Sequence, residues 1–483
     1  MNFDTEEQHV TLKMIPSTGA GARLLVTVAL AAFAVTAFGD ARADVKPVDA
    51  DLAAVAAQHH LQRFDPTGKF SLGAARPILD SEGVALAYRF DLWPYGRVIA
   101  SASTALPPII AYSFNESAEA DNADFNPLED MLRADLRSRL DHLAALSAEV
   151  LRQRAAAWSQ LAEHPELGPD GPDMEQWPPA GSTTTGGWVI TRWNQSAPYN
   201  NLCPMDSVTG LRSIAGCPAV AMAQIVNYHK RLNGTRFDDA DDYRHNYQGR
   251  TYWIDNDYAA YEFPSFPQLN AYLGALLDQY FYGSAPNAAN RGALIFACGV
   301  AARQVYTSGA AGTFGVDQAL AAYRKFHCDT AELLYEYSPG PYERLSANMK
   351  EGYPAHLAVV TTTGSSGHNL VVDGYNTEDY YHLNFGWGGA YDSWYLLPSE
   401  MPYNLTIVEG IIVDIMIDGC GLMDFTCDGT VSWDDFTYMA QCIAGPAGSP
   451  EAPGCAAFDA NGDEDVDLAD FATFQLLYEL SAE

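Results

Sequence analysis

Cysteine, histidine, asparagine and glutamine, at four separated places, could together attack and hydrolyse a carbonyl compound. Cys217 stands in GCPAVAMAQIVNYHK, Gly216–Lys230, where Gly216 breaks the chain, Pro218 suits a first helical turn, and Val220, Met222, Ile225, Val226 and Tyr228 recur at helical spacing. The thiol therefore sits at the positive end of a helix, where unpaired backbone N–H groups and the dipole favour the nucleophilic thiolate. The Cys217 N–H is placed to help bind an oxyanion. Cysteine catalysis also needs a base, a group that orients the base, and a second oxyanion donor. His368, in GHNLVVDGY at the mouth of an apolar strand, is the candidate base. Asn384, in HLNFGWGG about 16 residues later, returns on a strand–turn–strand excursion, and its amide can fix the imidazole tautomer without adding charge. Gln195, in WNQSAPYNNLCP, offers a side-chain N–H to the oxyanion. Of the competing histidines, His229 lies about three turns along the nucleophile's own helix, out of reach, and His356 and His382 fall inside strand runs, as packing or surface residues.

These residues need a helix on one side and a sheet on the other. From Trp188 to about Ile417 a helical first part around Cys217 gives way after Pro354 to short β-type runs: Ala355–Thr361, Asn369–Tyr375, Tyr380–Phe385, Trp394–Leu397 and Ile407–Ile415. Helix first and antiparallel sheet later is an α+β pattern. Ahead of this core, Val84–Leu92 and Arg97–Phe114 read as a small sheet. Asn126 and Pro127 then open a helix whose Leu128, Leu132, Leu136, Leu140, Leu143 and Val150 keep one face. Glu166–Gly187, rich in proline and glycine, reads as an exposed linker of the kind proteases cut. The tail carries a repeat: Asp424–Phe436 (DFTCDGTVSWDDF) returns about 35 residues later as Asp459–Phe471 (DANGDEDVDLADF), each a candidate calcium loop before a short apolar helix.

The chain has 483 residues, 48% of them hydrophobic, a length that suggests about three domains, and its formal charge is −34. Phosphate contacts need clustered Lys and Arg, so that balance argues against nucleic acid. Leu24–Phe38 is an apolar run of about 15 residues, preceded by Lys13 and Arg23 and followed by Ala41-Arg42-Ala43. It reads as a signal peptide rather than a membrane span, with Met14 as an alternative start. The mature chain is then secreted, to the extracellular space, the cell surface or a periplasm, with no membrane attachment after cleavage. Four of the eight cysteines, Cys420, Cys427, Cys442 and Cys455, cluster in the tail, where two disulfides could brace a small core and three pairings are open. Cys203, Cys298 and Cys328 remain beside Cys217, and one pair plus one buried thiol fits them.

The ordered motifs WNQ-x-x-PYN-x-x-CP, GC-x-A-x-AMAQI-x-x-YH, GH-x-x-x-x-DGY and NFGWGG, with ACGVAARQVY at Ala297–Tyr306, resemble the streptopain family of papain-like cysteine peptidases from about Trp188 to Ile415. GRVIASASTALPPIIAYS resembles that family's inhibitory propeptide. The resemblance implies Cys217 as nucleophile, His368 as general base and then acid, Gln195 in the oxyanion hole and Asn384 orienting His368. Where the family usually has Trp after that Asn, this chain has Phe385, a ring that excludes water but lacks the indole N–H.

The tail resembles a dockerin-type calcium module. In its second loop Asp459, Asn461, Asp463, Asp467 and Asp470 take positions 1, 3, 5, 9 and 12, with the Asp465 carbonyl at position 7; in its first, Asp424, Asp428, Ser432 and Asp435 fit, with Thr426 at position 3. Glu464 replaces the usual glycine at position 6 of the second loop. Calcium is thus the one expected cofactor, structural rather than catalytic, and a cohesin-like protein is the implied partner of the tail. The expected organisation is a signal peptide (1–43), an inhibitory propeptide and linker (44–187), a papain-like peptidase (188–417) and a dockerin-like domain (418–483). The expected activity is that of a secreted cysteine endopeptidase made as a zymogen, acting on proteins or peptides and inhibited by its own propeptide. A cysteine amidase or transpeptidase, and a calcium-dependent binding or adhesion protein with a decayed peptidase domain, are the alternatives.

Overall fold

A computed structural model describes residues 45–65, 67–115, 127–163, 174–335, 337–360, 367–397, 408–416, 419–445, 448 and 451–481. The apolar run at 24–38, the A-x-A site, Asn126 and the first part of the linker lie outside these residues. The N-terminal part folds as helix α1 (Ala50–Phe64), strands β1 (Ser71–Leu79), β2 (Ala85–Trp93), β3 (Arg97–Ser101) and β4 (Ile109–Ser113), and helices α2 (Pro127–Asp141) and α3 (Ala148–Glu163). One helix was expected from Leu128 through Val150, and two are found. Ser147 explains the break: its hydroxyl accepts from the Val150 N–H at 3.2 Å, capping a new helix before the first can continue.

The central part opens with α4 (Cys217–His229), followed by α5 (Phe266–Phe281), α6 (Ala288–Ala301) and α7 (Val316–Lys325). Strand β5 (Glu332–Leu334) and helix α8 (Pro341–Glu351) lead into β6 (Ala355–Val360), β7 (Gly367–Asn376), β8 (Tyr380–Asn384), β9 (Ser393–Leu396) and β10 (Val408–Val413). The order across the sheet is β1-β2-β3-β4-β9-β8-β7-β6-β10-β5, with the two-residue strand Gln176–Trp177 beside β7, and every pairing is antiparallel. The fold is α+β. The sheet expected to belong to the N-terminal unit alone is continuous with the central one: β4 pairs with β9 through Tyr112 opposite Trp394 and Ala111 opposite Tyr395. An uncovered β9 would present an unpaired edge, and β4 satisfies it.

Across the central strands β3, β4 and β6 to β10 both faces of the sheet are covered, so these strands read as near-continuous apolar runs, whereas β1 at the edge is largely exposed. Val371 and Ala358 face the layer of α4, α5, α6 and α7, while Leu370, Val372 and Leu357 share a core with Leu128, Leu132 and Leu136 of α2. At the join, Asp135 and Arg139 of α2 form a fully buried ion pair; Tyr395 of β9 donates to Asp135, and Arg139 donates to the Leu396 carbonyl at 2.7 Å.

The tail helices are α9 (Trp433–Cys442) and α10 (Leu468–Ser481). Phe281, at the end of α5, inserts into the core made by Met423, Tyr438, Met439 and Phe458, so the tail packs directly on the central helical layer. Its disulfides are Cys420–Cys427 and Cys442–Cys455. Cys203, Cys298 and Cys328 are all unpaired and buried, so the expected third pair does not form.

Candidate active site

Helix α4 begins where the sequence forces it to. Gly216 has φ 85°, and a Cβ there would lie 2.5 Å from the Gln304 side chain, so only glycine fits. Gln304 in turn donates to the Ala215 carbonyl at 2.7 Å and holds the chain as it enters the helix. Along α4, Ala219, Val220, Met222, Ile225 and Val226 are completely buried, which anchors the axis that carries Cys217. Its N-cap is glycine, and among the described residues no side chain caps it, leaving the first-turn N–H groups available.

Cys217 is hydrogen-bonded to His368, at the start of β7. The other face of that imidazole is settled by geometry: Nε2 lies 2.9 Å from the Phe385 carbonyl oxygen. A carbonyl only accepts, so Nε2 carries the proton, and in the neutral ring Nδ1 is left with its lone pair for the thiol. Phe385 also stacks on the imidazole at 5.8 Å between centroids, 12° from parallel, and Trp387 lies 6.4 Å away. Burial pushes the Cys217 thiol up, but the His368 charge and hydrogen bond, with donors from Asn369, bring it below its ordinary value. Burial lowers His368, and the Cys217 charge and hydrogen bond together with the Phe385 carbonyl raise it above its own. Each partner favours the charged form of the other, as a thiolate–imidazolium pair requires.

Asn384 is fully buried at the end of β8. Its Oδ1 accepts from Gln224 Nε2 at 3.1 Å and from the Gly386 N–H at 3.0 Å, and its Nδ2 donates to the Thr191 carbonyl at 3.0 Å. Its amide thus shapes the turn that presents the Phe385 carbonyl, and the contact expected from that amide to His368 is made here by the next residue's backbone. Gln195 is drawn to the start of α4, where its carbonyl accepts from the Ala215 N–H at 2.9 Å. Gln224 went unnoticed in the sequence. Two turns along from Cys217, it accepts from Thr191 Oγ1 at 3.0 Å and the Trp193 N–H at 3.2 Å while donating to Asn384. It therefore ties together the three segments that carry Cys217, Gln195 and Asn384. A glutamine inside an otherwise apolar helix face was the available signal.

His229 is far from the thiol, as expected, and burial holds it down at about 4. His356 and His382 are both buried, as packing residues are, and each is also hydrogen-bonded. His356 is bonded to Tyr323 at 3.2 Å and to Asn369 at 2.7 Å. His382 Nδ1 pairs with Asp373 at 2.6 Å, with both side chains buried.

The two tail loops share one construction. The first carboxylate takes the N–H of position 6: Asp424 from Gly429 at 3.0 Å and Asp459 from Glu464 at 3.0 Å. The last takes the N–H of position 9: Asp435 from Ser432 at 2.9 Å and Asp470 from Asp467 at 2.8 Å. In the second loop Asp465, Asp467 and Asp470 offer oxygens that all lie within 4.8 Å of one another, a donor set that fits a hard divalent cation. Asp463 takes the Asp465 N–H at 3.2 Å, and Asn461 donates to Asp463 at 2.8 Å. In the first, the Thr426 hydroxyl donates to Asp424 at 3.3 Å, and the Asp428 carboxylate takes the Thr430 N–H at 3.0 Å.

Residues 193–395 match the Peptidase C10 family profile. Streptopain of Streptococcus pyogenes is 26% identical over 232 residues, covering 44% of this chain and 54% of the relative. Streptopain of Streptococcus pyogenes serotype M1 is 26% identical over 236 residues, with the same shares of each chain. The chain spans about half the length of the curated relatives it matches. Among solved structures, a fragment of Prevotella intermedia prointerpain A aligns with TM-score 0.45 and 20% identity, over 71% of this chain and 98% of that one. Active wild-type interpain A cysteine protease of Prevotella intermedia aligns with TM-score 0.35 and 24% identity, over 47% and 92%.

Proposed function

We propose, since residues 193–395 match the Peptidase C10 family profile, that the protein is a secreted cysteine endopeptidase made as a zymogen. The observation that carries this reading is the Cys217–His368 pair with the Phe385 carbonyl on the far nitrogen. His368 Nδ1 takes the thiol proton, and the thiolate attacks the scissile carbonyl carbon. The Cys217 N–H and the Gln195 side chain bind the oxyanion. The intermediate collapses as His368 returns its proton to the leaving amine, which gives an acyl-enzyme. His368 then activates water, and hydrolysis frees the thiol. Asn384 and Gln224 keep the Phe385 carbonyl and Gln195 in place throughout.

The segment from Asp44 through the linker is the inhibitor. Its β4 completes the edge at β9, and Arg97 of β3 lies 6.0 Å from the ring of Tyr391, on the turn that follows Asn384. Cleavage within Glu166–Gly187 releases it. The two tail loops bind calcium, the first through Asp424, Thr426, Asp428, Ser432 and Asp435, the second through Asp459, Asn461, Asp463, Asp465, Asp467 and Asp470; a cohesin-like partner docks on that module. Calcium supplies charge neutralisation and folding energy there and has no part in peptide hydrolysis.

Mass spectrometry of the full chain with denatured casein tests the reading. Wild type yields casein fragments and processes itself within the linker, whereas Cys217→Ala does neither. Casein cleavage by Cys217→Ala removes the assignment, and aminolysis products without hydrolysis make the enzyme a transpeptidase instead. The heat released on calcium addition to full-length Cys217→Ala, and its loss in Asp459→Ala, test the tail.

A further inference from the structure

Asn369 directly follows His368 on β7, and its side chain faces the α4 layer together with Val371. Its backbone N–H and side-chain amide both bear on the Cys217 thiol and help to lower it from its ordinary value. On the other side, Asn369 Oδ1 lies 2.7 Å from Nε2 of His356, and Nδ1 of His356 lies 3.2 Å from the Tyr323 hydroxyl. His356 and Tyr323 are completely buried. We propose that Asn369 is a further catalytic residue that holds N–H donors on the Cys217 sulfur, and that His356 and Tyr323 are positioning residues that set the orientation of its amide. This rests on Cys217 as the nucleophile.

Donor and acceptor roles along the line are mutually consistent in one direction. Tyr323 donates to His356 Nδ1, His356 Nε2–H donates to Asn369 Oδ1, and the Asn369 Nδ2–H groups are thereby turned toward sulfur. The flipped amide would set an oxygen against the thiolate, so the orientation that His356 imposes is the one that stabilises negative charge. Burial holds His356 down at about 4, so it stays neutral in the working range and places no second positive charge near His368. The titratable groups facing this line are Cys217 on α4, His368 on β7, and Cys298 and Cys328, which bear on Tyr323. A sulfur held by an amide as well as by an imidazolium keeps its charge after His368 gives up its proton. A lone cysteine–histidine pair lacks that property.

The test is the rate of Cys217 alkylation by iodoacetamide against pH on the full chain, with casein hydrolysis measured beside it. Hydrogen bonds to charged groups are worth about 1.5–3 kcal/mol, so Asn369→Ala is expected to raise the alkylation midpoint by about one to two pH units. The acidic limb of kcat/KM moves with it, and KM changes little. Asn369→Asp, isosteric and still able to accept from His356, raises the midpoint further and covers the case in which the alanine variant does not fold. His356→Leu shifts the midpoint in the same direction, and His356→Gln, whose amide can still donate to Oδ1, restores it. An unchanged midpoint in Asn369→Asp overturns the proposal, as does a His356→Gln variant shifted as far as His356→Leu. A wild type that alkylates normally but cleaves no casein overturns the peptidase reading, and leaves the Asn369 contact to be judged by the midpoints alone.

Discussion

His368 takes its orientation from a backbone carbonyl, and the choice of group matters. A side-chain amide can flip and offer either an oxygen or an N–H to the imidazole, whereas the Phe385 carbonyl offers an acceptor only and admits one tautomer of the neutral ring. Phe385 keeps that contact dry although it is not tryptophan, because its ring is buried and stacked on the imidazole. Work at the reacting atoms is thereby separated from the work of support. Gln195→Ala removes the proposed second oxyanion donor, so kcat is expected to fall by roughly a hundredfold to a thousandfold, with Tm little changed. Gln224→Leu, by contrast, leaves the buried Trp193 N–H without this partner and takes one of two donors from Asn384 Oδ1. A buried unsatisfied group costs about 1–3 kcal/mol, so this variant is expected to lose both stability and activity in denaturant titrations and casein assays. If Gln195→Ala lost stability and kept its kcat, the two roles would be reversed.

Among elements, α2 ties the N-terminal part to the central sheet through a buried ion pair. Arg139 and Asp135 are both fully buried, and together they engage Tyr395 and the Leu396 carbonyl of β9. Arg139→Met leaves Asp135 buried without its cation, a change that typically costs about 3–5 kcal/mol. Full-length Cys217→Ala/Arg139→Met is therefore expected to unfold at lower denaturant, and limited proteolysis is expected to reach the linker earlier. Equal cleavage rates with and without Arg139 would show that α2 does not hold the prosegment. In the tail, Glu464 takes the position of a loop glycine and adopts φ 68°, where Gly429 in the first loop has φ 86°. A non-glycine residue in this region is strained, and the unfolded loop does not share that strain. Glu464→Gly is expected to tighten calcium binding at the second loop by roughly fivefold in calorimetry, net of the greater entropy of glycine in the unfolded chain. Weaker binding would show that the carboxylate, not the backbone, was the dominant contribution at that position.

For the whole molecule, pH acts through a buried cluster where the linker crosses the sheet. The Val189 N–H donates to Asp373 at 2.9 Å, and His382 pairs with Asp373 while facing the Thr185 carbonyl. Burial lowers His382, but the Asp373 charge and hydrogen bond outweigh it and hold the ring above its ordinary 6.5. Asp392 nearby is pushed up to about 6 by burial. Both groups keep their protons longer in the folded chain than in the unfolded one. The stability they contribute is thus complete below the unfolded values and falls as pH rises, between about 3.8 and 6 for Asp392 and above about 6.5 for His382. Asp206, held down by Arg250, acts oppositely, and its contribution is lost only on acidification below its ordinary 3.8. Tm of full-length Cys217→Ala is expected to decline above pH 6.5, and His382→Gln to flatten that decline. Parallel curves would place the pH dependence elsewhere.

What is local was legible along the chain. A glycine before a proline at an apolar helix start placed Cys217, the two acidic repeats marked the tail loops, and alternating and continuous apolar runs marked β6 to β10 to within a few residues. These signals lie within one element and need no partner to be legible. Which groups meet across elements was set by packing. It joined β4 to β9, set Phe281 into the tail core, left Cys203, Cys298 and Cys328 unpaired, and gave His368 a carbonyl rather than an amide. It also brought Gln224, Asn369 and His356 into the supporting network. A hydrogen bond between residues far apart in the chain leaves no periodicity behind. A buried glutamine, asparagine or histidine declares only that it needs a partner, and packing chooses which.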